Sequence, residues 1–412
     1  MVTIASSSSL PSGERIRGNL PLPAAADKLS LRNAVDLGNR LVLWQSPYGG
    51  PDPVKCPYRS PHPFTAYMLH GVGPSCRALY RLYGATGVSD YKVAADRYAT
   101  FFLTTLHDPL PPESLPLKID GAPRVPLSSA WMFGKALSPC YEWFVRNNPH
   151  EDAYELKAYA IYRWLQRYRH PESYFGVGYP CGEFADAQFS CDLGEVGSGL
   201  VGFYNVSGYP PALDDAFGLA EYFLNDYREG SGRGVWSPQL GTWLVGPWPG
   251  SGAEHFTHQV YNRTGWGWSC LVVGEFLLAL CQHTRDAARR ARMTEKCLRA
   301  WQWCHDACQF EDGAHGMFGR DDKWVGMTAV PVLLYAGLRA ENCIPEDIER
   351  AYRPKVERSW RWLLAHTTPE SFPPDGYIRG DGSTSKEPLE NLVWMMAWAL
   401  EALIEGSKIF EE

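Results

Sequence analysis

Two short stretches hold the side chains best suited to chemistry. The first, CGEFADAQFSCDLGEVGSG, carries Glu183, Asp186, Asp192 and Glu195. Asp192 and Glu195 are three apart, so on a helix they share a face. Gly197 and Gly199 follow them in a segment too apolar for a solvated surface. A carboxyl drawn out of water there rises in pKa and becomes a general acid, which glycosidic cleavage needs at the leaving oxygen. A second carboxylate completes that chemistry, a part open to Glu195, Glu183 or Asp186. Asp192 also admits a plainer reading, as an acid in the first turn of a helix stabilised by the helix dipole.

The second stretch, GAEHFTHQVYNRTGWGWS, gathers His255, His258, Tyr261, Asn262 and Arg263. These types suit β-elimination on a uronate. Arg or Asn neutralises the carboxylate, His or Tyr takes the α-proton, and Tyr protonates the departing oxygen. In a hydrolase the same groups would grip and orient the sugar. The two histidines have no spaced third ligand, so no metal is assigned. No cofactor is called for, because phosphate loops and dinucleotide fingerprints are absent. Cys304 and Cys308 flank His305 at helical spacing and read as thiols on a partly buried helix.

Five tryptophans fall within 33 residues around the second stretch: Trp236, Trp243, Trp248, Trp266 and Trp268. Flat aromatic faces suit the C–H-rich faces of sugar rings. Trp243 and Trp248 are read as cleft walls, and Trp266 as a sugar contact with core packing as its equal alternative. His70, in TAYMLHGVG, is a pocket or core histidine; Tyr377 and Arg379, in PPDGYIRGDG, are rim contacts or parts of a plain turn.

Positioning such groups falls to repeated helices. Apolar, small-residue-rich segments at about 65–83, 129–146, 188–205, 257–283, 325–339 and 388–407 recur every ~60–70 residues. Amphipathic segments alternate with them, at about 31–45, 89–106, 150–168, 212–228, 285–309 and 345–366. Six inner helices and six outer ones close a ring, an all-α (α/α)6 toroid. Two fragments repeat in detail, Tyr83-Gly-Ala-Thr-Gly87 and Tyr204-Asn-Val-Ser-Gly208, and each predicts a helix ended by a left-handed glycine. No composition shift divides residues 31–412, which are read as one catalytic domain after a flexible leader at 1–30.

The chain has 412 residues and a net charge of −7, and no Lys/Arg run reaches four residues. That makes nucleic acid and acidic membranes poor partners. No apolar stretch reaches the roughly 20 residues of a membrane span. The first residues carry no basic segment followed by an apolar one, and the 11 cysteines are odd in number and scattered. Both features predict a cytoplasmic protein with reduced thiols. Homo-oligomerisation is compatible with all of this.

The hairpin repeat and the segment CDLGEVGSGLVGFYNVSG resemble the (α/α)6 carbohydrate-active enzymes. Those include unsaturated glucuronyl and rhamnogalacturonyl hydrolases, alginate-lyase-type lyases and the N-acylglucosamine 2-epimerase fold. The resemblance implies that Asp192 is the acid catalyst; Leu193 and Glu195 stand where those hydrolases carry a second aspartate and a methionine. The expectation is a glycoside hydrolase acting on an oligosaccharide that bears a uronic acid. A polysaccharide lyase using His255 or His258 with Tyr261 and Arg263 is the second reading. A sugar epimerase and a non-catalytic carbohydrate-binding ring are the third and fourth.

Overall fold

Hydrophobic patterning sorts the helices into two kinds, and the packing follows from it. In the computed structural model, the residues described are 28–46, 49–50, 71–105, 115–117, 125–127, 138–149, 153–166, 190–228, 234–245, 265–320, 324–325, 327–367, 377–378 and 392–411. The inner helices are α2 (Val72–Thr86), α4 (Ser138–Asn147), α6 (Ser190–Ser207), α8 (Gly267–Cys281), α10 (Ala329–Ala340) and α12 (Leu392–Phe410). Of these, α6, α8, α10 and α12 are largely apolar, while α2 and α4 keep a charged face with Arg77 and Arg81, and Glu142 and Arg146. Each packs on the next, and α12 returns to α2, so these six close an inner ring. In α8 almost every side chain is buried, as a helix surrounded by neighbours requires.

The striped helices lie outside. They are α1 (Leu29–Leu43), α3 (Ser89–Thr105), α5 (Ala153–Leu165), α7 (Pro210–Leu224), α9 (Ala287–Trp303) and α11 (Glu346–His366). Each rests on one or two inner helices, α1 on α12 and α2, α9 on α8 and α10. In α9 one stripe, Met293, Cys297, Ala300 and Trp301, is buried while its arginines face out. Asp286 caps this helix, accepting from Ala288 N–H at 2.9 Å and Arg289 N–H at 3.1 Å. The inner and outer elements expected from sequence are therefore present and in the expected order.

The two repeated turns also behave as expected. Gly87 (φ 71°) and Gly208 (φ 66°) sit in the left-handed region and donate back to Tyr83 O and Tyr204 O. Cys304–Cys308, expected as helix, is instead a π-helical turn prolonging α9, with both thiols buried. Among the described residues no helix is long and apolar enough to cross a membrane, and none group as three or more metal ligands.

The ring has two unlike openings. Connections from inner to outer helices are short, at 87–88, 148–152, 208–209, 282–286 and 341–345. Connections from outer to inner helices are long, such as 106–137, 166–189 and 225–266. Arg81 of α2, Ala279 of α8, Ala340 of α10 and Lys408 of α12 line one shared cavity from the C-terminal halves of their helices. The inner helices thus run the same way, with C-terminal ends at the short-loop opening and N-terminal ends under the long loops.

Candidate active site

The first turn of α6 carries Asp192, and neighbouring segments hold that turn by hydrogen bonds. Ser190 N–H donates to Val245 O at 2.8 Å. Its hydroxyl lies 2.6 Å from both Leu244 O and the Ser269 Oγ at the start of α8. Two glycines let α6 and α8 come this close. A Cβ on Gly194 would meet Val273 Cγ2 at 2.9 Å, and one on Gly197 would meet the Phe276 ring at 2.6 Å. Glycine in the CDLGEVG run is therefore a packing requirement, and it overrides poor helix propensity.

Asp192 is 1% exposed, with Cys191 Sγ 3.6 Å from its Oδ1. It sits in the first turn of α6, at the positive end of the helix dipole. Glu195 is half-buried one turn on. The six inner N-terminal ends surround this opening, so as a whole it suits an acidic group or an anionic substrate.

The long connections meet here at their described ends. Strands β3 (Trp236–Ser237) and β4 (Thr242–Trp243) form a hairpin, after which Leu244 bridges Gly265. The stretch 246–264, which carries His255 through Arg263, thus leaves and re-enters the fold beside Ser190. Gly267 N–H donates to Met317 O at 3.1 Å, bringing residues 311–320 to the start of α8. Strands β5 (Trp324–Val325) and β6 (Tyr377–Ile378) pair antiparallel, joining the entries to α10 and α12. Tyr377, expected at the rim, has its backbone in this pair, opposite Val325.

An aromatic wall stands at the same opening. Trp266 and Trp268 are 5.0 Å apart between ring centroids, Trp268 and Trp394 are 4.2 Å apart, and Trp394 and Trp398 are 4.4 Å apart. Trp266 also stacks on Phe318 at 5.9 Å. The indole N–H groups of Trp266 and Trp394 are buried with no hydrogen-bond partner. A buried donor of this kind is a ready point for a ligand oxygen. Trp394 and Trp398 escaped the sequence reading because their i, i+4 spacing on an apolar helix looks like ordinary core.

Trp243 corrects the expectation. It is fully buried, donates its indole N–H to Phe223 O at 2.9 Å and packs against Trp236 at 5.3 Å, edge to face. It is a core residue of the β3–β4 hairpin and offers no face to a sugar. The expected residues His70, Glu183, Asp186, Trp248, His255, His258, Tyr261, Asn262, Arg263 and Arg379 lie outside the described residues.

A histidine pair was missed as a unit. His305 and His315 rings are 5.5 Å apart and buried. Burial pushes both below the ordinary imidazole range; for His305 the neighbouring His315 adds to this. His315 falls to about 3, although Gly313 and Asp312 oppose the fall. The His315 N–H donates to Thr328 Oγ1 at 3.2 Å, fixing the loop at the start of α10.

No family model matches the chain, and no curated protein matches it in sequence. Solved structures do match in shape. A sugar epimerase from a ruminal bacterium aligns with a TM-score of 0.66 at 11% identity, over 93% of this chain and 99% of that one. A possible member of the GH105 family from Salmonella enterica serovar Paratyphi A aligns with a TM-score of 0.63 at 16% identity, over 100% of both chains. A polysaccharide lyase aligns with a TM-score of 0.57 at 14% identity, over 93% of this chain and 99% of that one. The chain shares with these enzymes the (α/α)6 toroid, a fold that by itself selects no one chemistry.

Proposed function

We propose that this chain is a carbohydrate-active enzyme that hydrolyses a glycosidic bond in an oligosaccharide bearing a uronic acid. One observation carries the reading: a buried aspartate, Asp192, stands in the first turn of an inner helix, at the opening where the long connections meet. Asp192 delivers its proton to the leaving glycosidic oxygen, and Glu195, Glu183 or Asp186 serves as base toward water. Arg263 faces the uronate carboxylate, and His255, His258, Tyr261 and Asn262 orient the ring. The positive helix ends at this opening favour the same anionic sugar. Trp266 supplies aromatic surface, and Trp394, missed from sequence, adds a second indole donor.

The lyase reading keeps a specific support, since Leu244 and Gly265, the described residues on either side of the sequence that carries His255–Arg263, bridge each other beside α6. Uronate-containing glycans separate the readings when each digest is read for new reducing ends and for the ultraviolet absorbance of a C4–C5 double bond. Hydrolysis predicts reducing ends without the absorbance. Both signals together would establish the lyase, an isomerised sugar of unchanged chain length the epimerase, and no turnover a binding ring.

A further inference from the structure

The short-loop opening holds a cavity of about 630 Å³, bounded by all six inner helices; Asp192 is not among the residues that line it. That volume lies within the usual range of small-molecule sites, roughly 300–1,000 Å³. Small residues keep it hollow, Gly84 and Ala85 on α2, Ser198 on α6, and Ala336 and Gly337 on α10. A Cβ on Gly84 would meet nothing within 4 Å, so a larger side chain there would enter empty space.

Charged side chains on its wall are already matched. Arg77 binds Glu275 at 2.9 Å and Glu401 at 3.0 Å. Arg81 binds Glu405 at 3.0 Å, and Lys408 binds the same carboxylate at 2.9 Å. Glu341 is held by Arg290 at 2.9 Å, and Glu142 by Arg146. Burial pulls Arg77 toward neutrality, but the Glu275 and Glu401 carboxylates outweigh it and keep the guanidinium charged. An added ion of either sign would have to break one of these pairs. The carbonyl-rich C-terminal ends of six helices further disfavour an anion.

Carboxylates and guanidinium groups alternating along one wall present acceptors beside donors. A hydroxyl both donates and accepts, so neighbouring hydroxyls of one molecule match that order without disturbing a pair. Trp143 adds a partly exposed ring on this wall, with Tyr80 stacked 6.3 Å away. We infer that this cavity is a second binding site, specific for a neutral saccharide of one or two rings. It does not depend on which reaction runs at the opposite opening.

The test uses the full chain carrying Asp192→Asn, so that no probe is turned over. Maltose, lactose and melibiose are titrated calorimetrically, with digalacturonate and spermidine as anionic and cationic comparisons. At least one neutral disaccharide binds, and adding Gly84→Leu weakens it by about tenfold or more, the scale on which a misplaced side-chain carbon acts in a pocket. Thermal unfolding of the Gly84→Leu protein shows whether the fold is kept. Without Asp192→Asn, Gly84→Leu leaves turnover of uronate glycans unchanged. Absence of binding by all three disaccharides, binding indifferent to Gly84→Leu in a folded protein, or equal binding by digalacturonate or spermidine would each overturn the proposal. Failure to find any turnover would sink the hydrolase reading alone.

Discussion

At one opening of the ring the long connections enter at the N-terminal ends of the inner helices, and Asp192 is buried in the first turn of α6. At the other, short connections leave helix C-termini around a hollow whose charges are matched pair by pair. One direction of winding makes both, because six parallel helices point their positive ends one way and their negative ends the other. The first end holds the buried Asp192; the open end keeps its charges balanced in pairs. The long connections are the ones that lead into the first end, the kind of segment a rigid scaffold leaves free to vary.

Substitutions separate the two ends. The largest stability loss is expected at the open end. Glu401 is fully buried; burial raises its pKa while Arg77 and Arg81 oppose the rise. Glu401→Gln removes the charge that both arginines share and costs about 3 kcal/mol. Urea unfolding measures it, and the surviving folded protein keeps its activity. If activity falls while stability holds, the ends are coupled and the division is wrong.

Gly197→Ala comes next, where α6 meets α8. Its Cβ would run into the Phe276 ring, so overpacking costs about 1–3 kcal/mol. Because that contact sets the position of the first turn of α6, turnover falls as well. An alanine variant of unchanged stability and rate would show that the two helices are not in close contact.

The third test reads the segment between α9 and α10, which holds His305 and His315, through pH. The folded pKa of His315 lies near 3, below the ordinary imidazole value, so the unfolded chain takes up protons first as pH falls. Stability is present above about pH 6.5 and is lost between there and about pH 3. His315→Asn flattens this acid limb, by up to a few kcal/mol over the window. Thermal unfolding across the range checks it, and an unchanged slope would place the ring in water. Smallest is Gly84→Ala in the open hollow, which stabilises by up to about 1 kcal/mol through helix propensity.

Local patterns were legible in the sequence, and distant partners were not. Periodicity marks the inner and outer helices, and left-handed glycines mark the ends of α2 and α6, since each depends on near neighbours along the chain. Asp192 and Trp266 stood out because type and apolar context coincide. Trp243 misled for a local reason: it lies in a Gly- and Pro-rich stretch, yet pairing with Trp236 turns it inward. The open-end cavity was invisible, because Arg77 meets Glu275 and Glu401 only once the ring closes α12 onto α2. Pairs so remote in sequence leave no spacing to read.

The most direct test of the central claim is the rate of reducing-end release by Asp192→Asn on a uronate oligosaccharide that the unaltered protein cleaves. Losing the general acid predicts a fall of about 10²–10⁴ with thermal unfolding unchanged. Full activity in a folded Asp192→Asn protein would contradict the account and move the acid elsewhere.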